Sequence, residues 1–328
     1  MNLTVSVILP VYNEEKYISN CIESLLKQTF PKKEMEIIFL DGNSDDRTVS
    51  IISSYSRRDP DFIRVINNPN RTQAYAMNIG IREAKGKYII RLDAHSDYDE
   101  QYISECVRLL DTEKYQNVGG VAETCSRTKF GQLVALMMSS KFGVGNSQFR
   151  TSSEGGVVDT VPFGAFRKDY LLEIGGFDER LDRNEDNEIN FRIRKRGGIV
   201  YLSPTIKFKY YCRDTLDGIL KMAFQNGKWT VIASKLCPGS MSLRHLIPFI
   251  FVLSLITLIP LSFVNIWFCR ILIFELVLYC SLSLIFSLKT NSDMKSVMKL
   301  ALLFPAFHIS YGCGSLFGMV KMLGRNYR

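Results

Sequence analysis

The sequence has 328 residues, 46% of them hydrophobic and 23% charged, with a formal net charge of +8. That length can bury a sizeable core in one large domain or two smaller ones. The charge is not that of a nucleic-acid-binding face: residues 1–191 carry 29 acidic and 23 basic side chains (−6), residues 192–244 carry 2 and 11 (+9), and residues 245–328 carry 2 and 7 (+5).

The opening M-N-L-T-V-S-V-I-L-P has no basic start and runs straight into a strand-like stretch. It does not read as a signal peptide, so the first part of the chain is expected in the cytosol. Candidate strands are Val5–Val11, Glu36–Leu40, Phe62–Ile66, Tyr88–Leu92 and Val118–Ala122. Between them Tyr17–Gln28, Asp45–Arg57, Gln73–Ala84 and Asp99–Asp111 repeat apolar residues at helical spacing, as in Ile18, Ile22, Leu25 and Leu26. Strand–helix alternation predicts βαβ units, hence an α/β fold with a mostly parallel sheet over residues 1–205. A basic juxtamembrane or interfacial helical segment follows over 206–245.

Residues 246–328 read as membrane segments, with candidate helices at 246–268, 271–288 and 300–320. Each is close to the length that the ~30 Å hydrocarbon core requires. Three crossings from a cytosolic domain would place Lys321, Arg325 and Arg328 outside, against the positive-inside rule, so one segment is expected to be re-entrant or interfacial. The basic charge just before and between these runs fits contact with anionic headgroups. Eight cysteines are scattered without C-x-x-C pairs, which fits a reduced, cytosolic setting better than a disulfide framework.

In open α/β sheets ligands bind outside the carboxyl ends of the strands. There the chain reads Pro10-Val11-Tyr12-Asn13-Glu14-Glu15, Asp41-Gly42-Asn43-Ser44-Asp45-Asp46 and Arg91-Leu92-Asp93-Ala94-His95. Alternate residues of an extended chain point the same way, so Asp93 and His95 are expected to converge. A carboxylate oxygen and an imidazole nitrogen suit Mn2+ well and Mg2+ less well. The acids of the Asp41 loop can accept hydrogen bonds from a base or ribose, while Asp45 fits equally as the N-cap of the next helix. Asn184-Glu185-Asp186-Asn187-Glu188 reads either as a capped helix start or as a crowd of carboxylates raising the pKa of a base. No G-x-G-x-x-G or G-x-x-x-x-G-K-S/T occurs, which disfavours the usual dinucleotide and P-loop modes.

These elements, with A-Y-A-M-N-I-G-I-R-E-A-K-G-K-Y-I-I-R-L-D-A-H and G-G-F-D-E at Gly175–Glu179, occur in the order of a known family. The chain resembles the family 2 glycosyltransferases with a GT-A fold, and within them bacterial exopolysaccharide enzymes of the succinoglycan-biosynthesis type, over roughly residues 4–200. The resemblance implies that Pro10, Tyr12, Glu14, Asp41 and Asp93 bind the nucleotide-sugar donor, with UDP-sugars favoured. Asp93 and His95 would be the ends of the D-x-D element that holds a divalent metal, Mn2+ or Mg2+, and Asp186 the general base. His95 stands where a second Asp is usual, which bears on metal preference. Gln225-Asn226-Gly227-Lys228-Trp229 is similar to the Q-x-x-R-W element of processive synthases, with Lys228 in place of Arg. A juxtamembrane helix using Trp229 as an interface anchor explains it as well.

Glu185, Gln225 and Trp229 are acceptor-side candidates. His308-Ile309-Ser310-Tyr311-Gly312-Cys313-Gly314 resembles a C-terminal stretch of the exopolysaccharide branch, and close helix packing through its glycines is the simplest physical account. The implied activity is an inverting transfer to a hydroxyl of a lipid-linked saccharide acceptor, at the cytosolic face of a bacterial inner membrane. The rivals are a polyprenyl-phosphate sugar synthase and a non-catalytic scaffold of a polysaccharide assembly complex.

Overall fold

A computed structural model describes residues 3–152 and 154–324; Arg325 and Arg328, which entered the topology argument, lie outside the described residues, as do the first two of the opening. The chain forms two compact units. One is built from the chain up to Glu123 together with Gln148–Tyr211, the other from Thr124–Ser147 together with the chain from Cys212 onward.

The first unit begins with β1 (Val5–Val11), α1 (Ile18–Leu26), β2 (Met35–Asp41), α2 (Thr48–Ser56), β3 (Ile63–Asn67), α3 (Gln73–Glu83) and β4 (Tyr88–Arg91). Next come β5 (Ser96–Tyr98), α4 (Tyr102–Leu110) and β6 (Asn117–Cys125). After α5 (Lys129–Met138) and α6 (Lys141–Val144) of the second unit, it resumes with α7 (Gln148–Thr151), β7 (Gly156–Val157), β8 (Ala165–Arg167), α8 (Lys168–Glu173), α9 (Glu185–Lys195) and β9 (Val200–Tyr211).

The described strands form one mixed sheet in the order β3-β2-β1-β4-β8-β6-β9-β5, with β7 beside β9. β1 runs parallel to β2 and β4, and β2 parallel to β3, whereas β8 is antiparallel to both β4 and β6. In the parallel part β1, β2 and β4 are buried on both faces, while β3 at the edge is only partly covered. Val5, Val7, Leu9, Ile37 and Phe39 enter one core with α1 and α4; Ile8, Ile38, Leu40 and Ile89 enter the other with α3, α8 and α9. Strands covered on both sides read as unbroken apolar runs, which is why β1 and β2 stand out in the sequence. α1 shows the complementary pattern, burying Ile18, Cys21, Ile22 and Leu25 on a single stripe.

The second unit contains α10 (Leu216–Leu236), α11 (Leu243–Ser262), α12 (Ile266–Thr290) and α13 (Met294–Leu323). Among the described residues, α11, α12 and α13 are long and apolar enough to cross a membrane, with mean hydropathy of 2.1, 2.3 and 1.4. The expected helix at 246–268 runs past a break: α11 ends at Ser262, and Asn265 starts α12 by accepting the Trp267 N–H at 2.9 Å. The cap is a polar side chain inside an apolar run, so hydropathy does not register it. α10 packs on α13 through glycines, a Cβ added at Gly227 lying 2.0 Å from Tyr311 O and one at Gly314 lying 2.0 Å from Phe224 O. His308 of α13 is buried, with Tyr279 Oη 2.7 Å from its Nδ1 and Gly143 O 3.3 Å from its Nε2.

Candidate active site

The carboxyl ends of β1, β2 and β4 lie side by side in the parallel part of the sheet. The chain leaving β1 turns at Asn13 (φ 54°) and the chain leaving β2 at Asn43 (φ 60°), a left-handed conformation that asparagine accepts more readily than most residues. Side chains lace the two turns together. Asn13 N–H donates to Ser44 Oγ at 3.0 Å, Asp45 N–H to Asn13 Oδ1 at 3.0 Å and Glu14 N–H to Thr48 Oγ1 at 2.7 Å. The helix-start role considered for Asp45 belongs to its neighbour: Asp46 Oδ1 accepts the Thr48 N–H at 2.8 Å, while Asp45 is exposed.

Asp41 is buried at the end of β2, and its carboxylate accepts the Ser44 N–H at 3.2 and 3.3 Å. Pro10 lies near the end of β1, half-buried. Tyr12 is 47% exposed, with the Arg71 guanidinium 5.7 Å from its ring centre. An open aromatic ring close to a buried carboxylate can stack a flat base and accept hydrogen bonds from it.

β4 stops at Arg91, so Asp93 and His95 meet through a turn and not through extended alternation. Asp93 Oδ2 and His95 Nε2 are 3.9 Å apart. On the other edge of the imidazole, Glu14 Oε1 lies 3.4 Å from Nδ1. Asp93 is pinned through its backbone: its N–H donates to Tyr98 Oη at 2.7 Å and its carbonyl accepts from that hydroxyl at 2.9 Å. Beneath it sits Cys21, whose thiol is pushed well up by burial and by Asp97, Asp93 and Glu14, so it stays protonated and is no nucleophile.

A divalent cation roughly 2.1 Å from each ligand atom fits between atoms 3.9 Å apart. The donor set, one carboxylate and one imidazole, therefore suits such an ion. Among the described residues no cluster of three or more His, Cys, Asp or Glu side chains forms a cage. The remaining positions would fall to substrate phosphates and water, the common arrangement for Mg2+ at phosphate sites.

Arg91 lies at the centre of the acids; it stands in the Arg91–His95 segment, where the D-x-D element assigns a role to Asp93 and His95 alone. Its Nη2 is 3.2 Å from Glu185 Oε1 and 3.9 Å from Asp93 Oδ1, and donates to Gln73 Oε1 at 3.1 Å. Burial works against its charge, but Asp93, Glu185 and Asp186 more than compensate and hold its pKa further up. The sequence does contain a signal for it: Arg91 is the single charge in the run Tyr88–Leu92, and a fully covered strand tolerates a charge only when it is paired.

Glu185, expected to face an acceptor, is instead only 3% exposed and engaged with Arg91 inside the unit. Burial, only partly offset by Arg91, and repulsion from Asp186 and Asp93 push its carboxyl up to about 7. Asp186, the next residue, is half-buried and accepts the Asn187 N–H at 2.8 Å. Asn184 does precede α9, but with φ 64° and without a side-chain capping bond.

The helix is held from the far side. Arg192 pairs with Glu188 at 2.6 Å and donates to Ile174 O at 2.7 Å and Gly176 O at 2.6 Å, while Asn78 accepts from Phe177 N–H and donates to Phe177 O, both at 2.9 Å. The Gly175–Glu179 motif is thus a scaffold for the helix that carries Asp186. Gln225 and Trp229 lie on α10 of the second unit, where Trp229 is 6% exposed beneath the Lys228 ammonium.

A parallel sheet extended by antiparallel strands, with an acid–imidazole pair at its strand ends, defines a GT-A-like glycosyltransferase. The chain belongs to the family described as Glycosyl transferase family 2, which matches residues 6–175. Two curated relatives are each 28% identical to it. One is the dolichyl N-acetyl-alpha-D-glucosaminyl phosphate 3-beta-D-2,3-diacetamido-2,3-dideoxy-beta-D-glucuronosyltransferase of Methanococcus voltae, over 78% of this chain and 81% of the relative. The other is the succinoglycan biosynthesis protein ExoA of Rhizobium meliloti (strain 1021), over 74% and 73%. Among solved structures, a mannosyltransferase from Pyrobaculum calidifontis in complex with GDP-Man and Mn2+ shares the fold, with TM-score 0.61, 18% identity and coverage of 98% of this chain and 88% of that one. S. aureus TarS 1-349 in complex with UDP does so with TM-score 0.53, 17% identity and coverage of 99% and 93%.

Proposed function

We propose that the chain is an inverting glycosyltransferase that moves a sugar from a nucleotide-sugar donor, UDP-sugars favoured, to a hydroxyl of a lipid-linked saccharide acceptor in exopolysaccharide or capsule biosynthesis. The observation that carries this reading is the Asp93–His95 pair, 3.9 Å apart, bound through Arg91 to the helix start that bears Asp186. Tyr12 and Asp41 receive the nucleotide at a strand end shaped by Pro10, with Glu14 beside His95. Asp93 and His95 would hold Mn2+ or Mg2+, which when bound neutralises charge building on the departing nucleoside diphosphate.

Asp186 takes the proton of the acceptor hydroxyl as that oxygen attacks the anomeric carbon, opposite the departing nucleotide. Asp186 suits this role better than Glu185, because it is half-buried while Glu185 is 3% exposed and committed to Arg91.

Three apolar helices and the +9 segment at 192–244 support attachment to a bacterial inner membrane with the catalytic unit on its cytosolic face, within reach of a lipid-linked acceptor. The dolichyl phosphate in one relative's name supports the acceptor class, and succinoglycan in the other's supports the polymer class. GDP-Man with Mn2+ in one neighbour and UDP in another support the donor class and the cation.

The test is nucleotide release by the full chain in detergent, from a panel of nucleotide sugars with Mn2+, Mg2+ or chelator. Metal-dependent release from one donor is the expected result. A folded protein that releases nothing and binds no nucleotide by calorimetry overturns the reading. Asp186→Asn should lower turnover roughly 100-fold or more with nucleotide affinity unchanged, and near-normal turnover would remove the base assignment.

A further inference from the structure

We propose that Arg91 is a positioning residue for transfer: its guanidinium is shared between the metal-ligating arm and the helix carrying the base, and so sets the spacing between the two halves of the site. This rests on the roles given above to Asp93, His95 and Asp186. Arg91 is 5% exposed, and its Nη2 reaches three elements at once: Asp93 beyond β4 at 3.9 Å, Gln73 at the start of α3 at 3.1 Å and Glu185 at the start of α9 at 3.2 Å. The guanidinium carbon lies 5.7 Å from the centre of the Phe163 ring, which limits its movement.

For stability alone this arrangement is a poor investment, since desolvating a buried ion pair commonly costs as much as the pairing returns. An apolar side chain would fill the end of β4 as well. It could not hold together Asp93 and Glu185, carboxylates 92 positions apart in the sequence, which repel one another without a cation between them. Arginine suits the task better than lysine because its planar fork fixes direction as well as charge.

The test uses the full chain in detergent at pH 8, with the donor selected by the panel. It measures Mn2+-dependent nucleotide release, Mn2+ half-activation, affinity for UDP (or GDP if the panel selects it) and melting temperature. Glu185→Gln and Arg91→Lys should each lower kcat at least tenfold, with nucleotide affinity and Mn2+ half-activation within threefold of wild type. The double variant should lose no more than the worse single variant, because the two side chains act as one unit. Arg91→Lys keeps a cation among the buried carboxylates, so it loses the planar fork without leaving them uncompensated.

Wild-type kcat in a folded Glu185→Gln enzyme overturns the positioning role and leaves the site reading standing. Nucleotide affinity falling by the same factor as kcat also overturns it, since the pair would then only shape the donor pocket. A wild-type protein that releases nucleotide from no donor takes down the site reading and this proposal together, before any variant is made.

Discussion

In the proposed site His95 would offer the cation a nitrogen where a second oxygen would complete a harder ligand set. An imidazole is well matched to Mn2+, whereas Mg2+ prefers oxygen throughout. His95→Asp should therefore shift activity toward Mg2+, read as a severalfold fall in the ratio of Mn2+- to Mg2+-supported nucleotide release. An unchanged ratio would mean that His95 is not a ligand. Asp93 and His95 are legible in the sequence because two residues of a short segment spell the pair. The Arg91–Glu185 contact is not, because its partners are 94 positions apart and only the folded sheet brings them together. Glu185 also shows how adjacency misleads. It sits beside Asp186 in the chain, yet one carboxylate is enclosed and the other partly open.

Elements differ in how far composition gives them away. β1 is readable to the residue, since Val5–Val11 is an apolar run bounded by polar segments. β5 and β8 are three residues each, too short for any periodicity to register, and they join the antiparallel part of the sheet. Helix ends depend on single side chains, as at Asn265, while the apolar content on either side is continuous. Glycines on α10 and α13 mark a contact that is plain only with both helices in view. A methyl group at Gly227 would lie 2.0 Å from Tyr311 O, a backbone atom that cannot swing aside. Gly227→Ala should therefore force the helices apart at a cost of about 1–3 kcal/mol, seen as a lower melting temperature in detergent. Unchanged melting would show that α10 and α13 can separate freely.

For the whole molecule, a composition-based boundary near residue 205 lies close to the observed junction after Tyr211, but nothing in the sequence flags Thr124–Ser147 as part of the second unit. α5 within it is a ten-residue apolar helix, of the kind an α/β core also uses. Global stability should carry the mark of Glu185. Its folded pKa is raised from 4.5 to about 7, so its contribution is fully present below about pH 4.5 and is lost as pH rises through 7. Glu185→Gln cannot ionise and escapes that loss. Melting temperatures from pH 5 to pH 8 should show wild type losing ground to the variant as pH rises, and a gap independent of pH would rule the effect out.

The divided second unit also imposes an order on synthesis. α5 buries Leu133, Val134, Met137 and Met138 and packs against α13, which is made much later in the chain. At roughly 5–20 residues per second, α5 waits on the order of ten to thirty seconds for that partner. Until α13 is made the nascent chain therefore carries an apolar helix without that partner, and factors that shield such surfaces should engage it between α5 and α13.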